Sequence, residues 1–355
     1  MKVIIFIAAV LAALMIMFAH SVECSASATS TSLPEKYLEG NELELYREVL
    51  KNIIAIANGR QNAEPFYISV SRPFASTREY EEAIEKVMFF IHNYAPEYLY
   101  WSDSKGYLVY DTVRCGIVYG ISPAFQERGN QYKITAKILN NAKSSLSNAK
   151  EIAEKYQEKS DYEKVWGYAE EICALTDYSS MAAKDDGKYA KENIGPWNIV
   201  YVFDRDHATN VVCGGFARAF QYLCSLGGVE CHYVTGYVSD EYHAWNIVVI
   251  DGENYFVDLT VCSQYSDSDI SRHHPFVMNS IKSSDVNCFI AFYSQSGMTH
   301  SHLYTYHENE LKYLPESLRI LTTKEYSKES PADVIAVAVS LAAGVAFILV
   351  RTKKI

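Results

Sequence analysis

The sequence has no basic excess: 32 Lys and Arg face 43 Asp and Glu, for a formal net charge of -11. Neutralising a phosphate backbone needs the opposite balance, so nucleic acid is not an expected partner. No Cys-x-x-Cys pair occurs among the 8 cysteines, which removes the usual zinc-site spacing. No acidic loop has EF-hand spacing. His300 and His302 in "THSHLYTYH" could share a strand face and bind metal, yet no carboxylate or cysteine partner stands near them. They read instead as a solvated strand edge, and no metal or organic cofactor is expected. No Asn heads an acceptor triplet for glycosylation. No internal repeat or low-complexity tract occurs, so a solenoid is excluded.

What is present is a chain of 355 residues, 49% of them hydrophobic, enough to bury a sizeable core and compatible with two modest domains. Tyrosine is abundant at 28 residues, a side chain suited to surfaces that are apolar on one side and wet on the other.

Both ends carry membrane signals. Lys2, the apolar run Val3 to Ala19 and small residues ending at Ala28 match a secretory signal peptide over 1–28, with an uncleaved anchor as the competing reading. An uncharged run over 334–350 is near the shortest length for a spanning helix. Arg351, Lys353 and Lys354 follow it, and the positive-inside rule places this 351–355 tail in the cytoplasm and the main body outside. The expectation is an extracytoplasmic, single-pass membrane protein. Export permits disulfides. Loss of Cys24 with the signal leaves an odd number of cysteines, hence at least one free thiol unless one pairs between chains. Cys213 is the candidate; a disulfide from Cys213 to Cys224 or Cys231 is the alternative.

Between the ends, "NELELYREVLKNIIAIANG" and "STREYEEAIEKVMFFIHNYA" have helical periodicity, the second with a Ser76 and Glu79 capping pattern and Pro96 as its stop. "EYLYWSDSKGYLVYDTVRCGIVYGI" reads as strands around a turn near Asp103 to Gly106, and "KITAKILNNAKSSLSNAKEIAEKY" as a helix. Residues 33–160 therefore read as an α+β accessory region without a catalytic constellation. A second region, 161–322, opens on the helix "DYEKVWGYAEEICALTDYSS" and contains "NVVCGGFARAFQYLC", in which Phe216, Ala219, Phe220, Leu223 and Leu226 mark one buried helix face. "VECHYVTGYV", "YHAWNIVVI" and "NYFVDLTV" read as strands, followed by hairpin material with Asn309 in its turn; 323–333 reads as a linker.

Cys213 falls in the first turn of its helix, where unpaired N–H groups and the dipole favour a thiolate and can hold an oxyanion. Gly214 and Gly215 weaken a helix start, so they suggest a close approach to the backbone, as room for an incoming carbonyl. A lone cysteine reads as a buried hydrophobe. His243 and Asp258 on successive strands change that, because a cysteine nucleophile needs a base, and the base needs a partner that fixes its tautomer. A turn at Gly252 and Glu253 pairs His243 with Cys262 and leaves Asp258 about 13 Å out of step; a turn centred on Ile250 and Asp251 sets His243 opposite Asp258. Trp197 reads as a core residue, and His207 and Asn210 as polar loop residues.

"VVCGGFARAFQYLC", "HAWN" and "YFVDLT", in that order, resemble the transglutaminase-like core, related in layout to papain-like cysteine proteases. "PWNIVYVFDRD" and "VTGYV" resemble secreted prokaryotic members. The resemblance implies a helix carrying Cys213 packed on an antiparallel sheet carrying His243 and Asp258, with Cys213 as nucleophile, His243 as base and later acid, and Asp258 as its orienting group. Val261 and Cys262 depart from the Trp and Asp that many members carry after the aspartate. The implied activity is acyl transfer at an amide of a protein or peptide: peptidase or amidase if water resolves the thioester, cross-linking if an amine does. An inactive surface adhesion or cell-wall-binding module on the same fold is the alternative, and cell-wall contact is an expected partner in that case.

Overall fold

A serine cap decides where the second helix begins. A computed structural model describes residues 33–183, 195–262, 281–284, 286–295 and 298–323. The segments 1–28 and 334–350 lie outside the described residues, among which no helix is long and apolar enough to cross a membrane. Helix α1 (Gly40–Ala57) and helix α2 (Thr77–Tyr94) form where the periodicity requires them. Ser76 Oγ accepts the Glu79 N–H at 3.1 Å, while the Glu79 carboxylate reaches the amide of Ala75 rather than that of Ser76. Their apolar faces meet a sheet of three strands ordered β1 (Phe66–Ser69), β3 (Arg114–Ile121), β2 (Ser102–Val109). The turn expected near Asp103 to Gly106 is absent, because β2 runs straight through it. The chain reverses instead at Asp111, whose Oδ1 accepts the N–H groups of Val113 and Arg114 at 2.8 Å each. That side-chain turn outcompetes the Asp-Ser-Lys-Gly stretch.

Helix α3 (Ala136–Lys155) and helix α4 (Asp161–Leu175) follow. Ser160 and Glu163 form a reciprocal capping box at the start of α4. Both helices pack on helix α5 (Cys213–Gly227), whose other side lies on strands β6 (Glu230–Val238) and β7 (Glu241–Ile250). Phe216, Ala219, Phe220 and Leu223 are buried as expected, whereas Leu226, the penultimate residue of the helix, is 38% exposed. Gly228 ends the helix in the left-handed conformation.

The large sheet has the order β8 (Glu253–Val257), β7, β6, β11 (Met298–Tyr306), β10 (Cys288–Gln295), β9 (Ile281–Ser284). Strands β8 and β10 stand four places apart, or about 19 Å in a flat sheet. Yet Phe256 of β8 and Phe289 of β10 have ring centroids 5.0 Å apart, and Phe256 and Tyr304 are equally close. The sheet is therefore curled around an aromatic core of Trp245, Phe256, Phe289 and Tyr304. Strand β11 pairs with β10 from Met298 to Thr305 but with β6 only from Tyr304 to Tyr306, so His300 and His302 lie on the stretch paired on one side, as an edge would be. The hairpin expected around Asn309 is replaced by a short helix, α7 (Glu308–Tyr313), capped by His307 Nδ1. The chain is α+β, with a cysteine-bearing helix on an antiparallel sheet, consistent with a papain-like or transglutaminase-like core.

Candidate active site

The turn between β7 and β8 decides where Asp258 falls. Asp251 and Gly252 both have positive φ, 53° and 79°, the backbone that a two-residue hairpin requires and an Asp-Gly pair adopts readily. The resulting register pairs Ile250 with Glu253 and Asn246 with Val257. Neither register expected above is realised. Continued by one step, the ladder sets Asp258 beside Trp245, two residues along β7 from His243 and on the same sheet face. The apolar strand also stops before the aspartate. Residues 259–262 turn into the short helix α6 (Leu259–Cys262), and Asp258 Oδ1 accepts the Thr260 amide at 3.0 Å.

His243 Nε2 lies 2.7 Å from Asp258 Oδ2, and the Tyr304 hydroxyl donates to the same oxygen at 2.8 Å. Because a carboxylate oxygen accepts, Nε2 of His243 carries a proton that points at Asp258. The Cys213 thiol lies within interaction range of that ring. Burial alone pulls His243 down, but the charge and hydrogen bond of Asp258, together with Cys213, push it up to about 10. Burial alone pushes Asp258 up, but His243, Tyr304 and the Thr260 amide hold it below the usual carboxylate range. The pair is thus an imidazolium and a carboxylate at neutral pH.

Around the thiol, α5 begins on Val212, which contributes no side-chain cap, so the amides of Cys213 and Gly214 stay available as a helix's first donors do. Tyr178 runs beside Val211 in an isolated parallel bridge and feels the Cys213 charge. Tyr233 and Ala244 pack with Cys213 and Ala217. The glycines carry different duties from those expected. A Cβ at Gly215 would sit 2.7 Å from Val211 Cβ and 2.8 Å from Pro196 O, so this glycine admits the protein's own chain rather than a substrate carbonyl. At Gly214 the nearest atom would be Trp197 Cβ at 3.4 Å. Trp197 is not a core residue: it is 40% exposed and flanks the start of α5. His207 is exposed, and Asn210 accepts from the Asp177 amide, so both are loop residues as expected. Cys115, Cys173, Cys213, Cys224 and Cys231 are free thiols; Cys24 and the Cys262 side chain lie outside the description.

Sequence reasoning missed Tyr304 and Thr260. Thr260 had a signal, since an Asp two residues before an amide at a helix start is a capping pattern. Tyr304 had none, because only the curl of the sheet brings it to Asp258.

No family model matches the chain. It is 33% identical over 113 residues to the human (Homo sapiens) protein named Kyphoscoliosis peptidase, a match covering 28% of this chain and 16% of that protein. The mouse (Mus musculus) protein of the same name is 32% identical over 125 residues, covering 32% of this chain and 18% of its own length. The likeness, taken with the fold, supports the transglutaminase-like superfamily. In both cases it spans less than a fifth of the relative.

Proposed function

We propose that the protein transfers or hydrolyses acyl groups at an amide through a thioester on Cys213. The observation that carries this reading is the 2.7 Å His243 to Asp258 contact, with Cys213 at the start of a helix that packs on the neighbouring Ala244. With His243 an imidazolium, the thiol proton already rests on Nδ1, and the Cys213 sulfur attacks the amide carbon as a thiolate. The oxyanion forms at the Cys213 and Gly214 amides. The carbon–nitrogen bond then breaks, and His243 returns its proton to the leaving amine. Water, activated by the same histidine, resolves the thioester to a free acid; a lysine amine in its place yields an isopeptide. Hydrolysis is the default because water is abundant at the cell surface.

The name of the two relatives, a peptidase, supports an enzyme of this type. Secretion and tethering rest on the segments 1–28 and 334–350 and on the basic tail. Protease added to intact cells should remove the folded region and leave the tail.

A thiol-directed peptide amide probe tests the chemistry. Labelling of the full chain under reducing conditions is expected and should vanish in Cys213→Ala. Absence of labelling in the unmodified chain would overturn the reading in favour of an inactive binding module.

A further inference from the structure

Two clefts, of about 890 and 270 Å3, meet where the N-terminal region touches the nucleophile's helix. Three side chains line both: Lys105 of β2, His92 of α2 and Arg218 of α5. Arg218 lies one turn along the helix from Gly214, the residue after Cys213, and its Nη1 is 3.8 Å from where a Gly214 Cβ would be. Its guanidinium sits over the Tyr233 ring at 4.7 Å and donates to the Trp197 carbonyl at 3.4 Å, so it is aimed by neutral groups.

Neither Lys105 nor Arg218 forms an ion pair among the described residues. The two cations instead depress each other's neighbourhood: burial and then Arg218 bring Lys105 down to about 8, and burial, Lys105 and Arg218 hold His92 well below the ordinary imidazole value. His92 Nε2 is shut off from solvent with no hydrogen-bond partner among the described residues, while its ring stacks on Tyr119. The acids that share these walls do not neutralise the cations. Glu85 is held by Lys312 and by the hydroxyls of Tyr107 and Tyr313. Glu310 Oε1 accepts from Thr235, and burial raises its carboxyl to about 8. Asp103 accepts from Ser104. Glu308 is exposed. Two unneutralised cations and an orphaned ring nitrogen on one concave wall fit an anion that arrives with the substrate.

We infer that Lys105, Arg218 and His92 form a carboxylate subsite beside Cys213, which seats an acidic side chain or a free C-terminal carboxylate of a peptide acyl donor. This rests on the acyl-transfer reading above for the identity of the donor, though not for the presence of the anion site. It also gives the N-terminal region a task, since two of the three groups come from it.

The test uses the full chain carrying Cys213→Ala, so that binding is read without turnover. Four fluorescent peptides are compared: one with a Glu and one with a Gln at the same internal position, each with a free or an amidated C-terminus. One carboxylate form is expected to bind at least about tenfold tighter than the peptide lacking it, a preference that added salt weakens. The internal Glu and the free terminus are read separately, so the arms name the source. Lys105→Glu and Arg218→Gln should each remove most of the preference. Lys105 keeps solvent-exposed surface at the cleft mouth even though the packed walls lower its pKa, so its variant keeps the test open even if the Arg218 variant unfolds. Equal affinity for carboxylate and amide peptides, or a preference unchanged in Lys105→Glu, would overturn the subsite. Carboxylate preference without Cys213 labelling sinks the acyl-transfer reading and leaves the subsite; labelling without preference does the reverse.

Discussion

A carboxylate shut away from water persists only where donors replace its hydration, and fully buried Asp258 collects three: His243 Nε2, the Tyr304 hydroxyl and the Thr260 amide. Asp258→Asn keeps the shape but removes the charge that fixes the imidazole. Turnover or probe labelling is expected to fall by roughly 10²- to 10⁴-fold, as when an orienting aspartate is lost elsewhere. Tyr304→Phe removes one hydrogen bond to a charged oxygen and should cost about 1.5–3 kcal/mol in denaturant titration. The pair also sets opposite pH limits. Asp258 is depressed in the folded state, so its contribution is full above the ordinary carboxylate range and is lost as pH falls through the depressed value. His243 is raised, so its contribution is full below about 6.5 and is lost as pH rises through about 10. Melting temperature should drop between pH 7 and 10, and His243→Asn should start lower and drop less. Cys213, His243 and Asp258 were singled out because their residue types in order imply one chemistry, and the structure joins the last two. Their distances were not legible, because a single turn residue shifts the register of a whole strand.

At the scale of elements, helical periodicity located α1, α2 and α5, and a serine cap placed the start of α2. Turns were harder, since Asp111 and the Asp251-Gly252 pair each won over a neighbouring stretch with similar residues. The start of α5 shows how backbone approach overrides propensity. Gly215→Ala replaces glycine with a better helix former, yet the new carbon would meet Val211 and Pro196 O. It is expected to destabilise by about 1–3 kcal/mol, read as a lower denaturant midpoint. Gly214→Ala, with its nearest atom at ordinary contact distance, should leave the midpoint nearly unchanged. An equal effect of the two substitutions would contradict this account.

At the scale of the molecule, Glu310 joins three distant segments. Its Oε1 accepts from the Thr235 amide and hydroxyl of β6 and, at 3.5 Å, from Asn93 of α2. Burial raises its carboxyl to about 8, above the unfolded value, so the stability it supplies is full below the ordinary carboxylate range and fades as pH rises through 8. Glu310→Gln should therefore melt higher than the unmodified chain at pH 8.5, with the difference shrinking toward pH 5. The α+β class was legible from the order of elements, whereas the placing of β11 between β6 and β10 was not, because no local pattern names a strand's neighbours. That placing sets a timetable for synthesis. The strand that closes β6 emerges from the ribosome after β7, β8, β9 and β10, so until then the strand following the nucleophile's helix waits with an open row of amides and carbonyls. A chain halted before Met298 should accordingly pellet as aggregate on sedimentation, whatever the state of Cys213, His243 and Asp258.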